Sequence, residues 1–251
     1  MAGEIQIEDA GVDEPEREKV ITDPEVLYNM GNAAGMLQDY PVAFDFYLKA
    51  AQKGYAPAQC NLGFCYEKGN GVPINYVKAV EYYHKAADQN YAPALSNLGW
   101  CYEGGNGVEA DIDKAVSLYR KAADQGYFPA FSNLGFCYAN GNGVKKDLYE
   151  AYNWFKKGAL HGNVFSQYNL GDCYEHGKGI EKNVDKALDW YKKSAERGYA
   201  AAQNQMGHCY ENGIGVNKNI LKAYEWYNYA AIHGYAIAQK NLARLKAEKQ
   251  I

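Results

Sequence analysis

The chain contains 251 residues, with 26 lysine and arginine residues against 30 aspartate and glutamate residues and a net charge of −4. This composition is typical of soluble globular proteins. The sequence has no run of about 18 apolar residues, the length that a membrane-spanning helix requires. Its first 22 residues carry acids where a secretory signal would need a basic start and an apolar centre. We therefore expect a cytoplasmic protein that does not act at a membrane.

The charge is concentrated at the amino terminus. Residues 1–23 carry eight acids and two bases, a net charge of −6, and subtracting −6 from −4 leaves +2 for the other 228 residues. A nearly neutral body gives no electrostatic reason to expect a nucleic acid partner. The segment 1–22 is predicted to be a disordered, solubilising tail. The alternative is that it folds back onto the protein as a pseudo-ligand.

Glycine, cysteine and tyrosine recur at a constant spacing of 36 residues, and a pair of glycines two residues apart follows each of these rows. The rows are Gly63, Gly99, Gly135, Gly171 and Gly207; Cys65, Cys101, Cys137, Cys173 and Cys209; and Tyr66, Tyr102, Tyr138, Tyr174 and Tyr210. The period predicts five equivalent structural units in succession.

Each unit is predicted to contain two helices. In the first full unit, one helix runs from about Pro57 to Glu67 and ends at the pair Gly69 and Gly71, because glycine tolerates a positive φ. A second helix runs from about Tyr76 to Gln89. One pair of helices cannot bury its own apolar face, whereas stacked pairs can.

The two ends depart from the period in the way that capping units do. At the start, Asp23 is a predicted N-cap, and it is followed by Pro24 at the first helical position. Gly31 precedes Gly63 by only 32 residues, so this unit lacks the glycine loop. A last helix, from about 237 to 249, is expected to turn a charged face to water. The sequence thus predicts six helix pairs and a closing helix.

The strings Asn61-Leu62-Gly63-Phe64-Cys65-Tyr66-Glu67-Lys68-Gly69-Asn70-Gly71-Val72 and Lys78-Ala79-Val80-Glu81-Tyr82-Tyr83-His84-Lys85-Ala86-Ala87 resemble the Sel-1-like repeat, a relative of the tetratricopeptide repeat. The resemblance implies an all-α fold, a right-handed α-solenoid of stacked antiparallel helix pairs. It also implies a scaffold or adaptor that binds proteins and has no chemistry or cofactor of its own.

The predicted domain organisation is a tail followed by a single solenoid domain over 23–251. Within that domain we expect a tetratricopeptide-like capping unit at 24–55, five Sel-1-like repeats and a capping helix at 236–251. The five repeats are 56–91, 92–127, 128–163, 164–199 and 200–235.

Helix geometry divides the first helix of each unit into two faces. At about 100° per residue, Gly63 shares one arc with the small and apolar residues of its helix. The opposite arc contains Pro57, Cys60, Asn61, Phe64, Glu67 and Lys68. In related solenoids the first helix lines the concave wall, so this second arc is predicted to form a binding groove.

One row of residues follows the centre of that arc. It consists of Phe64, Trp100, Phe136, Asp172, His208 and Arg244, which we call the central row. Three aromatic side chains are followed by three polar ones, so the groove is expected to be apolar in its first half and charged in its second. Exposed aromatic rings are favoured at recognition sites because they bury much area at a small entropy cost. The alternative is that the rings pack between helices as part of the core.

A second row consists of asparagines, Asn61, Asn97, Asn133, Asn169 and Asn241, with Gln205 between the last two. A carboxamide both donates and accepts hydrogen bonds, so Asn97, Asn133 and Asn169 could hold the backbone of a bound peptide. The same amides could instead satisfy groups of neighbouring units, and the near-constancy of the row favours that structural role.

Cysteines in successive units lie too far apart to form disulfides, which indicates a reducing compartment. The only candidate for chemistry is the set Asp172, His176 and His208, with Glu175 and Glu211 nearby, which could bind a metal or catalyse hydrolysis. Glu175 and Glu211, however, continue a row with Glu67 and Glu103 that we interpret as solvated surface. We therefore expect no metal site and no enzymatic activity. The partner and the oligomeric state are left open.

Overall fold

The computed structural model describes residues 22–248, so the predicted tail lies almost entirely outside the described residues. Within this range the chain forms thirteen α-helices and no β-strand. None of these helices has the length and apolar character needed to cross a bilayer. The helices form two compact units, one ending at Ala110 and the other beginning at Asp111. A single solenoid domain over 23–251 stays a prediction.

The first unit contains five helices, and each packs on the next along the chain. They are α1 (Pro24–Met36), α2 (Tyr40–Gln52), α3 (Ala56–Lys68), α4 (Tyr76–Ala87) and α5 (Ala92–Gly104). The helices α1 and α3 each begin a repeat, and α2 and α4 are their partners.

The second unit contains eight helices, which also pack consecutively. They are α6 (Ile112–Asp124), α7 (Phe128–Asn140), α8 (Leu148–Leu160), α9 (Val164–His176), α10 (Val184–Glu196), α11 (Ala200–Asn212), α12 (Ile220–Ile232) and α13 (Ala236–Ala247). The first helices of neighbouring repeats also touch, as α7 and α9 do.

Side-chain caps fix where many of the helices begin. The Asp23 carboxylate accepts hydrogen bonds from the backbone N–H groups of Glu25 at 2.8 Å and Val26 at 3.2 Å, which confirms the predicted start of α1 at Pro24. The second helices of the later repeats are capped in the same way by an Asn or Asp, and each cap satisfies an N–H group that the helix itself leaves unpaired. These caps are Asn75, Asp111, Asp147, Asn183 and Asn219.

The recurring glycine of each first helix is required by close packing against the second helix. A Cβ added at Gly63 would lie 2.7 Å from Cδ1 of Tyr83, and one at Gly171 would lie 2.6 Å from Cδ1 of Tyr191. Both tyrosines are completely or almost completely buried. The 36-residue glycine row therefore marks where an aromatic ring of the second helix approaches the backbone of the first helix, with no room for a methyl group.

The predicted division of the first helix into two faces is correct for the core arc but wrong at two positions of the groove arc. Leu62 and Cys65 are buried, as expected, and Phe64 is exposed. Cys60 and Glu67, however, are only 4% and 8% exposed. Neighbouring helices cover the edges of the predicted groove arc, so the accessible strip is narrower than helix geometry alone predicts.

Candidate functional site

The three aromatic residues of the central row are partly open to solvent. The exposed fractions are 43% for Phe64, 40% for Trp100 and 43% for Phe136, whereas the apolar residues on the core side of the same helices, such as Leu62 and Leu98, are buried. These rings are thus not tucked into the core. An exposed aromatic ring retains apolar area that a partner can bury.

A lysine lies between the two aromatic residues of the first unit. Lys68 Nζ is 5.7 Å from the ring centroid of Phe64 and 5.8 Å from that of Trp100, within the range of a cation–π interaction. The same ammonium group forms an ion pair with Glu67 at 2.7 Å. The half of the groove that was expected to be apolar therefore also contains a positive charge, the Lys68 ammonium group, which contacts the rings of Phe64 and Trp100.

In the second unit, one cavity brings together three of the predicted site residues. Phe136, Asn169 and Asp172 all line a cavity of about 300 Å³. The ring of Phe136 meets the buried ring of Phe155 edge to face, with a centroid distance of 5.4 Å. The structure therefore places an aromatic, an amide and an acidic residue of the two predicted rows at the same depression.

The charge of Asp172 is compensated within its own repeat. Its Oδ2 accepts a hydrogen bond from Lys178 Nζ at 2.6 Å, and its Oδ1 lies 3.1 Å from His176 Nδ1. Both partners are on the exposed side of the helix end. Asp172 is consequently one half of a surface ion pair rather than a free acidic group.

Arg244 is also paired rather than free. It donates to Glu211 at 2.6 Å and to Glu248 at 3.3 Å. Burial alone would raise the pKa of Glu211, but hydrogen bonds from Tyr227 and Arg244 hold that pKa below its usual value. His208, which lies between Asp172 and Arg244 in the central row, is exposed. The polar half of the central row thus presents ion pairs and one imidazole.

Several members of the amide row bind groups of the preceding repeat. Asn61 Nδ2 donates to Asn32 Oδ1 at 3.3 Å, Asn97 Nδ2 to Cys60 Sγ at 3.6 Å and Asn241 Nδ2 to Asn204 Oδ1 at 3.0 Å. These contacts link the first helices of neighbouring repeats and support the structural role.

Asn169 differs from those members of the row because its bond stays within its own helix. Its Nδ2 donates to the backbone oxygen of Phe165 at 2.7 Å, one turn earlier. Asn133 has interaction partners as well. The amide row is thus heterogeneous, and Asn169 is the member that lines the cavity.

The interpretation of the acidic row as solvated surface is correct for Glu103, which is exposed, but wrong for Glu67 and Glu175. Glu67 and Glu175 are only 8% and 9% exposed, and three repeats share a hydrogen bond from a buried tyrosine of the second helix to this glutamate. We call this contact the Glu–Tyr pair. The pairs are Tyr83 to Glu67 at 2.7 Å, Tyr191 to Glu175 at 2.6 Å and Tyr227 to Glu211 at 2.7 Å.

The Glu–Tyr pair was the feature that sequence reasoning missed. Its signal was present, because Tyr83 and its equivalents recur at the same 36-residue spacing as the glutamates. Burial and the hydrogen bond to Glu175 raise the pKa of Tyr191 far above the ordinary value, so this phenol remains a donor at all physiological pH values. The spacing alone could not show that the two rows meet.

The residues considered for metal binding do not form a cluster. Between residues 22 and 248, no group of three or more His, Cys, Asp or Glu side chains is arranged to hold a metal ion. Glu175 is engaged with Tyr191, and Asp172 with Lys178. The geometry of this region offers ion pairs and hydrogen bonds instead of a set of converging ligands.

All six cysteines are reduced and buried. Burial raises the pKa of Cys60 and Cys173 to about 12 and that of Cys65 to about 11. A thiolate is the reactive form of cysteine, so these residues act as small apolar core residues and not as nucleophiles.

The sequence and structure are similar to those of known repeat proteins. A Sel1 repeat protein from Oxalobacter formigenes is 37% identical, with a TM-score of 0.77, over 84% of this chain and 86% of that one. The protein c5321, a protective antigen present in uropathogenic Escherichia coli strains, is 33% identical with a TM-score of 0.73, over 94% of this chain and 52% of that one. These similarities confirm the predicted all-α solenoid fold class.

A curated relative shares a much shorter segment. DAP3-binding cell death enhancer 1 of Rattus norvegicus is 51% identical over 35 residues, which is 14% of this chain and 7% of that protein. The present chain thus spans only a small part of the length of the curated relative that it matches.

A sequence model of the Sel1 repeat matches most of the chain. The matched segments are 24–55, 56–91, 92–127, 132–163, 164–199 and 200–235. They include the repeat 24–55, which we expected to be closer to a tetratricopeptide repeat. With six repeats matched over more than half of its length, the chain belongs to the Sel1 repeat family.

Proposed function

We propose that the protein is a non-enzymatic scaffold that holds an extended or helical segment of another protein against the central row. Phe64, Trp100 and Phe136 are the apolar anchors of this interaction. The asparagines Asn97, Asn133 and Asn169 hold the backbone of the bound segment, and Asp172, His208 and Arg244 set its polarity at the far end.

The observation that carries the proposal is the partial exposure of three aromatic rings at equivalent positions of three successive repeats. Isolated exposed apolar residues are normal on protein surfaces, but a periodic row of aromatic rings is not explained by core packing. Alanine scanning finds that aromatic residues dominate binding energies at protein interfaces. The Sel1 repeat fold is typical of protein–protein interaction, and the curated relative that shares a 35-residue segment is named for binding another protein.

The charge distribution and the thiols favour a protein partner in the cytoplasm. The body carries a net charge close to zero, which disfavours the phosphate backbone of a nucleic acid. The free thiols in successive repeats suit a reducing compartment. The ion pairs at Asp172 and Arg244 remain on the surface, where they orient a partner without adding much affinity.

The proposal is tested with Trp100→Ala and a library of short random peptides displayed on phage. We select binders of the wild-type protein and measure their affinities by fluorescence polarisation. Trp100→Ala is expected to weaken the binding of selected peptides by at least about tenfold, which corresponds to about 1.4 kcal/mol. Because the ring is 40% exposed, its loss should change the midpoint of urea unfolding only slightly.

The matched control is Tyr229→Ala, which removes an aromatic ring that is 51% exposed on α12, outside the central row. It should leave peptide affinity unchanged. The proposal fails if selection yields no binders, or if the two substitutions weaken binding equally.

A further inference from the structure

One repeat lacks both members of the Glu–Tyr pair. In the unit 128–163, Ala139 stands at the position of the glutamate and Phe155 at that of the tyrosine. The joint loss has a physical reason: a buried carboxylate without its phenol donor would be an unpaired polar group, which costs stability. Replacing both partners by apolar residues avoids that cost.

The space of the missing glutamate side chain is open. The cavity of about 300 Å³ noted above is lined by Ala139 and Phe155 and lies beside Phe136 of the central row. This volume is at the lower end of the range of about 300–1,000 Å³ that is usual for ligand pockets. It suits a single side chain better than a large molecule.

A second, independent case shows the same relation. In the first repeat, Gly35 stands at the glutamate position, and a cavity of about 250 Å³ opens there beside Phe64. Tyr47, the equivalent of Phe155, donates its hydroxyl hydrogen to Asn32 Oδ1 at 2.8 Å instead. In both repeats, therefore, the glutamate is absent and a cavity lies in its place, next to an exposed ring of the central row.

The chemistry of the cavity in the second unit selects an uncharged occupant. Its inner wall is formed by Ala139, Ala151 and Phe155. The two charged residues that line it, Asp172 and Lys178, are paired with each other at 2.6 Å. A charged side chain placed here would lose its hydration and find no unpaired opposite charge, whereas an apolar one would gain from burial.

One polar group at the cavity suits a peptide backbone. Asn169 Nδ2 donates to the backbone oxygen of Phe165 within α9, and within residues 22–248 no group donates to its Oδ1. A backbone N–H group next to an inserted side chain could donate to this oxygen.

We propose that the cavity between Ala139 and Phe155 is the anchor pocket of the binding face. It takes one uncharged apolar side chain, of leucine or methionine size, from an extended segment of a partner protein. This inference rests on the proposed function and names the position on the partner that carries most of the specificity.

The test restores the missing pair. The double variant Ala139→Glu/Phe155→Tyr fills the cavity with the same two residues that other repeats bury, so it is expected to fold and to retain its thermal stability. Peptides selected on the wild-type protein should bind this variant at least about tenfold more weakly. Replacing their shared leucine or methionine by alanine should weaken binding to the wild type by a similar factor and have little further effect on the double variant.

A second variant covers the possibility that the double variant does not fold. Ala139→Leu fills the same space with an apolar side chain that needs no hydrogen-bond partner, and it too should weaken peptide binding. Tyr229→Ala again serves as the control, with unchanged affinity expected.

Four outcomes would overturn the inference. If a folded pocket-filling variant binds the peptides as tightly as the wild type does, the pocket is wrong while the proposed function stands. The same holds if the shared anchor of the peptides is a charged residue. If the wild type self-associates in sedimentation and the double variant does not, the occupant is a second copy of the chain. If no peptide binds the wild type at all, the proposed function fails together with the pocket.

Discussion

The buried glutamates show how a single side chain can be structural in some repeats and absent in others. Glu175 accepts hydrogen bonds from Tyr191 at 2.6 Å and from Gln205 at 3.0 Å, so one carboxylate joins two neighbouring repeats. A hydrogen bond to a charged group is stronger than one between neutral groups. Each Glu–Tyr pair therefore holds the second helix of a repeat to its first helix at a defined register.

Tyr191→Phe tests this contact at the level of one atom. Removal of the hydroxyl group leaves the Glu175 carboxylate buried with one donor fewer, so we expect a loss of about 1.5–3 kcal/mol in the free energy of unfolding. In the background Glu175→Ala the same substitution should cost much less, since the partner is gone. Urea denaturation of the four proteins gives both values, and equal losses in the two backgrounds would contradict the assigned bond.

Glu211 makes stability depend on pH. Its folded-state pKa is lowered, so its contribution is fully present above the unfolded-state pKa of about 4.3 and is lost as the pH falls through the folded-state value. Between about pH 5 and pH 3 the wild type should therefore lose more unfolding free energy than Glu211→Gln does. Denaturation curves across this range measure the difference, and parallel pH profiles would exclude the effect.

At the scale of the elements, the first and second helices of a repeat are held close by a glycine against an aromatic ring. This contact explains why the glycine row is regular while the central row is varied. A helix interior normally disfavours glycine by about 1 kcal/mol relative to alanine. Glycine is nevertheless favoured here, because a larger residue would push the second helix away from the first.

Gly171→Ala tests that contact, because the new methyl carbon would lie 2.6 Å from the Tyr191 ring. We expect a loss of about 1–3 kcal/mol, typical of overpacking. Gly35→Ala is the matched control, since its methyl carbon would meet nothing closer than 3.6 Å in the same kind of helix. It should be neutral or stabilising by up to about 1 kcal/mol. Equal effects of both substitutions on urea unfolding would contradict the packing argument.

At the scale of the whole molecule, the cysteine row provides one buried reporter for nearly every repeat. Repeat proteins derive their stability from contacts between neighbours, so parts of the stack can open separately. All six thiols are buried, and those of Cys60, Cys101, Cys173 and Cys209 have pKa values raised to about 12. Their reactivity therefore requires opening of the repeat that contains them.

We expect iodoacetamide to modify the native protein at pH 8 far more slowly than it modifies free cysteine. In increasing concentrations of urea, labelling followed by mass spectrometry should appear only as each repeat unfolds. Urea-unfolded protein is the control for complete reactivity. Rapid modification of any of these thiols in the native state would show that the thiol is not buried as described.

The sequence by itself determined the helical repeat and its approximate boundaries. The 36-residue spacing of glycine, cysteine and tyrosine can be recognised without knowing how the repeats pack, because each position has the same local environment in every repeat. The N-cap Asp23 and the glycines after each first helix are likewise local signals, and the helices begin and end close to the expected residues. The exposure of Phe64 was expected on helix geometry, although whether it binds a partner is still a proposal.

Only the tertiary structure decided which polar residues are buried and where cavities lie. Helix geometry placed Glu67 on the exposed arc, but the adjoining helices cover it and Tyr83 supplies its hydrogen bond. For the same reason Ala139 and Phe155 were unremarkable in the sequence, since nothing showed that they face each other. Burial depends on what neighbouring repeats place around a residue, and a one-dimensional pattern does not contain that information.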